Sequence, residues 1–122
     1  MMTDAADFIY VLLSQAQLDV AHDSGTYVPS DFESEGFVHA SPREQLSRVA
    51  NKFYREVSEL RLLEIDPRRV KAEVRWEPAA GGLYPHIYGP LNLSAVVRIV
   101  AVPRDAEGKW LPEQALSEID NK

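Results

Sequence analysis

One short stretch constrains this chain more than any other: Glu35-Gly36-Phe37-Val38-His39-Ala40-Ser41 followed by Pro42-Arg43-Glu44. Gly36 to Ala40 alternates and is rich in strand formers, which predicts a short strand. Ser41 then offers a hydroxyl to the amide of residue 44. Pro42 occupies the first helical position, where its missing donor costs nothing, and Glu44 completes a capping box. Leu46, Val49, Ala50, Phe53 and Tyr54 recur at helical spacing behind it. A strand must therefore feed a helix at Ser41, with Phe37 and His39 on one face of that strand and Val38 on the other.

The remaining elements arrange themselves around this junction. Phe8 to Leu13 is a compact apolar run that suits a buried strand. Ser14 with Gln17 is a second capping box, opening a helix with Ala16, Val20 and Ala21 inward and ending at Asp23-Ser24-Gly25. Thr26 to Ser34 reads as loop. Leu60 to Ile65 is a strand stopped by Asp66-Pro67, and Val74 to Glu77 a strand stopped by Pro78, followed by the loop Ala79-Ala80-Gly81-Gly82. Tyr84-Pro85-His86-Ile87-Tyr88-Gly89-Pro90 carries two prolines and a glycine, predicting an irregular edge strand and turn. Ala95 to Val102 is the strongest strand, Asp105 to Lys109 a turn, and Pro112 to Ile119 a last helix. Early helices and late strands predict an α+β domain with a small mixed or antiparallel sheet and two to three short helices. At 122 residues the chain fits one domain, 1–122, with its core at about 8–103 and a C-terminal tail at 104–122.

Charge and composition exclude several functions. The net charge of -6 argues against nucleic acid as partner, since phosphate-backbone binding rests on Lys and Arg. The charge is uneven: residues 1–35 hold seven acids and no Lys or Arg, whereas 43–75 hold nine basic residues and six acids. A small anionic ligand is thus still compatible. Without cysteine there is neither disulfide nor thiol nucleophile, which suits a reducing, cytoplasmic setting. The acidic N-terminus has no leader pattern, and no apolar run is long enough for a membrane span. Three dispersed histidines, His22, His39 and His86, make no metal-binding pattern, so no metal is expected.

Candidate chemistry falls on a few residues. His39, two residues before a helix N-terminus, is a candidate base or ligand donor. Ser41 is a ligand contact, its hydroxyl largely explained by capping, with its own amide and those of the next turn as anion donors. His86, between Tyr84 and Tyr88, lies in a proline-stiffened segment suited to stacking on a planar ring and bonding its edge. Glu77 is a candidate acid or base, and Arg75 a candidate phosphate clamp. The histidine stretches are expected to meet in one site.

In order, Ile9-Tyr10, Glu35 to Ser41, Leu62 to Ile65, Val74 to Glu77 and Tyr84 to Leu91 resemble the bacterial domain of unknown function 952 family over roughly residues 8 to 103. The resemblance implies a split-sheet fold similar to the ADP-ribosyltransferase superfamily, and with it a nucleotide-sized pocket and NAD as possible ligand. Relatives commonly carry His where this chain has Val11, removing one ribose-binding group. In that frame Glu77 and His39 are the catalytic candidates, with His39, Ser41, Arg75, Tyr84, His86 and Tyr88 binding ligand. Two alternatives stand beside group transfer: a non-catalytic module binding a small ligand or peptide, and an interaction domain dimerising through its aromatic surface. Oligomeric state is not read from the sequence.

Overall fold

A computed structural model describes residues 8–79 and 81–120, with the side chains of 118–120 left aside. In chain order the elements are β1 (Ile9–Ser14), α1 (Gln15–Ser24), β2 (Thr26–Tyr27), α2 (Phe32–Glu35), β3 (Val38–His39), α3 (Leu46–Phe53), β4 (Leu60–Ile65), β5 (Glu73–Ala79), β6 (Gly82–Tyr88), β7 (Leu91–Asn92), β8 (Val96–Ala101) and α4 (Pro112–Asp120). The fold is α+β, and every pairing between these strands is antiparallel.

Two three-stranded sheets, ordered β1-β4-β8 and β3-β6-β5, carry the architecture. They meet at a single bridge. Tyr10 and Ser41 exchange both backbone hydrogen bonds, at 2.9 and 2.7 Å. The segment that leaves β3 thus bridges the two sheets, from β6 to β1. Side-chain alternation then sorts the strands into two faces. Ile9, Val11 and Leu13 join Val38, Ala40, Ile87 and Leu63 in one core, where Leu18 and Ala21 of α1 also pack. Tyr10, Leu12, Leu60, Leu62 and Val100 face a second core with Leu46 and Ala50 of α3, Trp110, and Ala115 and Leu116 of α4.

Several expectations hold. Ser14 accepts from the Gln17 amide at 3.1 Å and the Gln17 side chain accepts from the Ser14 amide at 2.9 Å, so α1 opens on the capping box and closes at Gly25. β4, β8 and α4 lie where their sequences place them. Others need correction. Val20 is 70% exposed, because α1 turns Leu18 and Ala21 inward. Thr26 to Ser34 is not all loop: it contains β2 and the start of α2. Four α-helices lie among the described residues, and Trp110 and Leu116, within the segment read as a C-terminal tail, are buried in the second core. β5 runs through Pro78 to Ala79 rather than stopping before it.

The largest correction concerns the second histidine stretch. β6 is the central strand of its sheet, not an irregular edge. Pro85 survives there because β3 is so short. Its carbonyl accepts from the Ala40 amide at 3.1 Å, and its absent donor falls at the strand's end, where only half of a two-bond exchange is lost.

Ser41 is corrected too. Its hydroxyl caps nothing: it donates to the Pro42 carbonyl at 2.8 Å. A turn of 3₁₀ helix over Arg43–Gln45 precedes α3, without a side-chain cap. The β-bridge explains the difference. Holding Ser41 on Tyr10 delays the α-helix to Leu46.

Candidate functional site

His39 and His86 sit directly opposite each other on β3 and β6, which brings the two histidine stretches together as expected. Their ring centroids lie 5.7 Å apart. Phe37, on the same face as His39, stacks on His86 at 4.0 Å with an interplanar angle of 16°. It is half-buried in this ring cluster, whereas Val38 behind it is fully buried in the core.

Behind His86 stands a carboxylate. Glu77 of β5 accepts from His86 Nδ1 at 2.6 Å and, on the same Oε1, from the Tyr88 hydroxyl at 2.6 Å. The Tyr88 hydrogen bond, followed by that of His86, holds the Glu77 carboxyl below its ordinary range. The reciprocal bond raises the Tyr88 phenol. An ionised carboxylate only accepts, so the proton of the His86–Glu77 bond sits on Nδ1. That leaves Nε2 as the acceptor nitrogen of neutral His86. The two ring nitrogens point in nearly opposite directions, and Glu77 lies on the β5 side. Nε2 is therefore turned away from Glu77.

A cleft of about 640 Å³ opens on this face. His39, Ser41, Tyr84 and His86 line it from β3, the bridging segment and β6, joined by Tyr10 and Leu12 from β1. Helix α3 forms the opposite wall through Arg48, Val49, Lys52 and Phe53. Asp31 and Glu35 stand at the mouth, and Glu35 Oε1 lies 3.1 Å from His39 Nε2. The cleft is thus bipolar, with cations on α3 and carboxylates beside α2.

The helix is pinned to the β5–β6 hairpin by a small polar network. Arg48 Nη1 donates to the Tyr84 hydroxyl at 2.9 Å, which donates to Gln45 Oε1 at 3.2 Å. Gln45 Nε2 donates in turn to the Gly81 carbonyl at 3.2 Å. Gly81 has φ of +94°, and a Cβ there would stand 2.5 Å from Arg48 Nη1. The positive φ favours glycine, and a Cβ would displace the Arg48 guanidinium from this position.

The remaining sequence candidates divide accordingly. Arg75, Glu77 and Tyr88 do not line the cleft; they back it through His86. The Arg75 guanidinium covers the Tyr88 ring at 4.4 Å and pairs with Glu73 at 3.0 Å, so neither Arg75 nor Tyr88 is presented as a clamp or stacking surface. Tyr84 is buried and its hydroxyl is committed to Arg48 and Gln45. Ser41 is 3% exposed, and its amide, expected to bind an anion, donates to Tyr10 instead. Val11 faces the inner core, away from the cleft, so a side chain at this position does not reach the site.

The α3 wall is not legible in the sequence. Phe53 was expected inward but is 68% exposed, placing an aromatic ring at the cleft. Arg48 and Lys52 flank it one turn apart, a spacing visible in the sequence but uninformative until β3 fixes what the helix faces. Among the described residues there is no cluster of three or more His, Cys, Asp or Glu able to hold a metal. No helix among them is long and apolar enough to cross a membrane.

The fold and site define an α+β domain of antiparallel sheets with two histidines paired on adjacent strands beside a cleft. Residues 12–99 match the family described as "Protein of unknown function (DUF952)", and the chain belongs to it. It is similar to the crystal structure of protein CC0527 from Caulobacter crescentus, with 32% identity, a TM-score of 0.83, and coverage of 90% of this chain and 98% of that one. The solution structure of the same Caulobacter protein is 34% identical with a TM-score of 0.71, covering 84% of this chain and 90% of that one. No curated protein matches the chain.

Proposed function

We propose that the cleft between α3 and the histidine strands binds a nucleotide-like ligand, with NAD or ADP-ribose as the first ligands to test. The observation that carries this reading is the Glu77–His86 bond at the base of the cleft. It fixes one ring nitrogen and presents the other as an acceptor for a ribose or ring donor. The volume suits a small organic ligand, for which pockets of about 300–1,000 Å³ are usual. Phe53 offers a face for a planar ring, and Arg48 and Lys52 favour an anionic group on the α3 side.

The two bridged sheets are compatible with an ADP-ribosyltransferase-like assignment, which is part of this proposal and rests on resemblance. Glu77 acts in it through His86, not on the ligand itself. A flat aromatic dimer contact is the weaker reading, because His86 and Tyr84 are buried within the cleft wall and Tyr88 is covered by Arg75.

Isothermal titration with NAD and ADP-ribose tests the proposal. Saturable binding that weakens at least tenfold in His86→Ala, with an unchanged fold by circular dichroism, is expected. Absence of heat and of any thermal shift at millimolar ligand would overturn it.

A further inference from the structure

The pairing of two histidines across adjacent strands says more about the bond acted on than about the ligand as a whole. We infer that His86 and His39 are the general base and general acid of a phosphoester hydrolysis, acting on a ribose-linked or ribose-cyclised phosphodiester in the cleft. This inference rests on the nucleotide-binding reading above and goes beyond it.

In its neutral form His86 carries its proton on Nδ1, on the Glu77 side, and Nε2 can take one. His39 has Glu35 on Nε2 at 3.1 Å. When both its nitrogens are protonated it retains that bond and has the Nδ1 proton to give. A base and an acid whose ring centroids are 5.7 Å apart are close enough to act on one phosphoryl group, and phosphoryl transfer depends chiefly on such positioning and on charge. Arg48 and Lys52 on the facing helix supply positive charge for the phosphoryl oxygens.

The leaving group decides between chemistries. Nicotinamide departs from NAD without needing a proton, so an acid opposite the base contributes nothing to that step. A ribose hydroxyl departing from phosphorus does need one. The carboxylate that would steady a ribosyl cation is also misplaced, because Glu77 sits behind His86 and bonds two other groups.

His86 Nε2 removes a proton from water as the water oxygen bonds to phosphorus. The bond from phosphorus to the ribose oxygen breaks, and His39 protonates that oxygen. A phosphomonoester and a free hydroxyl result, and exchange with solvent restores both imidazoles. Glu77 is a positioning residue, and Tyr88 holds Glu77.

The test uses the full chain with nucleoside 2′,3′-cyclic monophosphates, the monoester product followed by ³¹P NMR, and ADP-ribose binding measured in parallel. Turnover is expected, reduced about 10²–10⁴-fold by His86→Asn or His39→Asn, the usual range for losing one acid–base group. Glu77→Gln is expected to lower the rate less and to change the His86 ¹⁵N tautomer signature, which a merely structural role would not do. The rate should follow a bell-shaped pH profile. Glu77, Arg75 and Tyr88 on the β5 side, Glu35 and Asp31 at the mouth, and Arg48 and Lys52 on α3 share that electrostatic environment. Binding of ADP-ribose without turnover of any cyclic nucleotide overturns the inference and leaves the binding reading intact. Failure to bind any of these ligands overturns both. Turnover that persists in folded His39→Asn removes His39 as the acid.

Discussion

Arg98→Met should be among the most damaging single substitutions outside the hydrophobic cores. Glu64 stands in the middle of the β1-β4-β8 sheet with its side chain 5% exposed, while that of Arg98 is 23% exposed. Arg98 Nε and Nη2 donate to the two Glu64 oxygens at 2.9 and 3.0 Å, and the Tyr10 hydroxyl donates to Oε2 at 2.9 Å. Burial, reinforced by the bond to Glu64, holds the Tyr10 phenol well above its ordinary range, so it remains a donor. Removing Arg98 leaves a buried carboxylate with one neutral partner. Breaking a buried pair costs about 3–5 kcal/mol, and the partial exposure of Arg98 on its edge strand favours the lower end. With an unfolding entropy of about 2.1 cal/mol/K per residue, a loss of about 3 kcal/mol lowers Tm by roughly 10–12 °C in this 122-residue chain. Urea titration and thermal melts measure it. The double variant Glu64→Met/Arg98→Met should recover to within about 1–2 kcal/mol of the parent, since replacing both members of a pair removes the orphaned charge. A single-variant cost below about 0.5 kcal/mol, or a double variant worse than the single, would refute the reasoning.

Three further outcomes follow from the same geometry. Ser14→Ala should cost about 1 kcal/mol by removing a true capping box, whereas Ser41→Ala should cost clearly less, because its hydroxyl caps nothing; equal losses in urea titrations would contradict the assigned helix starts. Glu77 and Asp66 both titrate below their ordinary range, Glu77 through Tyr88 and His86 and Asp66 through Arg68. Their stabilisation is complete above the unfolded carboxylate values of about 4 and is lost as pH falls through the folded ones. The urea midpoint should therefore drop as pH falls below about 5, less so in Glu77→Gln, and an unchanged midpoint would count against it. Gly81→Ala should destabilise by at least about 1 kcal/mol, from the positive φ and the Arg48 contact; a neutral melt would show that the hairpin is not pinned to α3.

The sequence marked the site's centre but not its walls. Alternation alone put Phe37 and His39 on one face and Val38 on the other, and a two-residue strand was enough to honour it. It could not show that Ser41 bonds Tyr10, because a capping box and a β-bridge use the same backbone at that point and only tertiary pairing decides between them. Pro85 misled for a related reason. A proline in a strand signals an edge, and here the edge is local, supplied by the early end of β3. Glu64 and Arg98 each stand out as a charge within an apolar strand, and their pairing was latent in that oddity. Glu77 was legible as a carboxylate at the end of an apolar strand, but its partner depends on a diagonal contact across β5 and β6 that only the hairpin register sets. Phe53 was misplaced because helical spacing assigns it to the inner face, whereas α3 is short and ends at the cleft.

On this reading Glu77 holds His86 with Nε2 turned into the cleft proposed to bind ligand. The ¹⁵N side-chain spectrum of the histidines at neutral pH, recorded with and without ADP-ribose, tests it most directly. His86 should show a protonated Nδ1 and a bare Nε2, with the Nε2 resonance moving on addition of ligand. A proton on Nε2, or an Nε2 resonance indifferent to ligand at saturating concentration, would contradict the account.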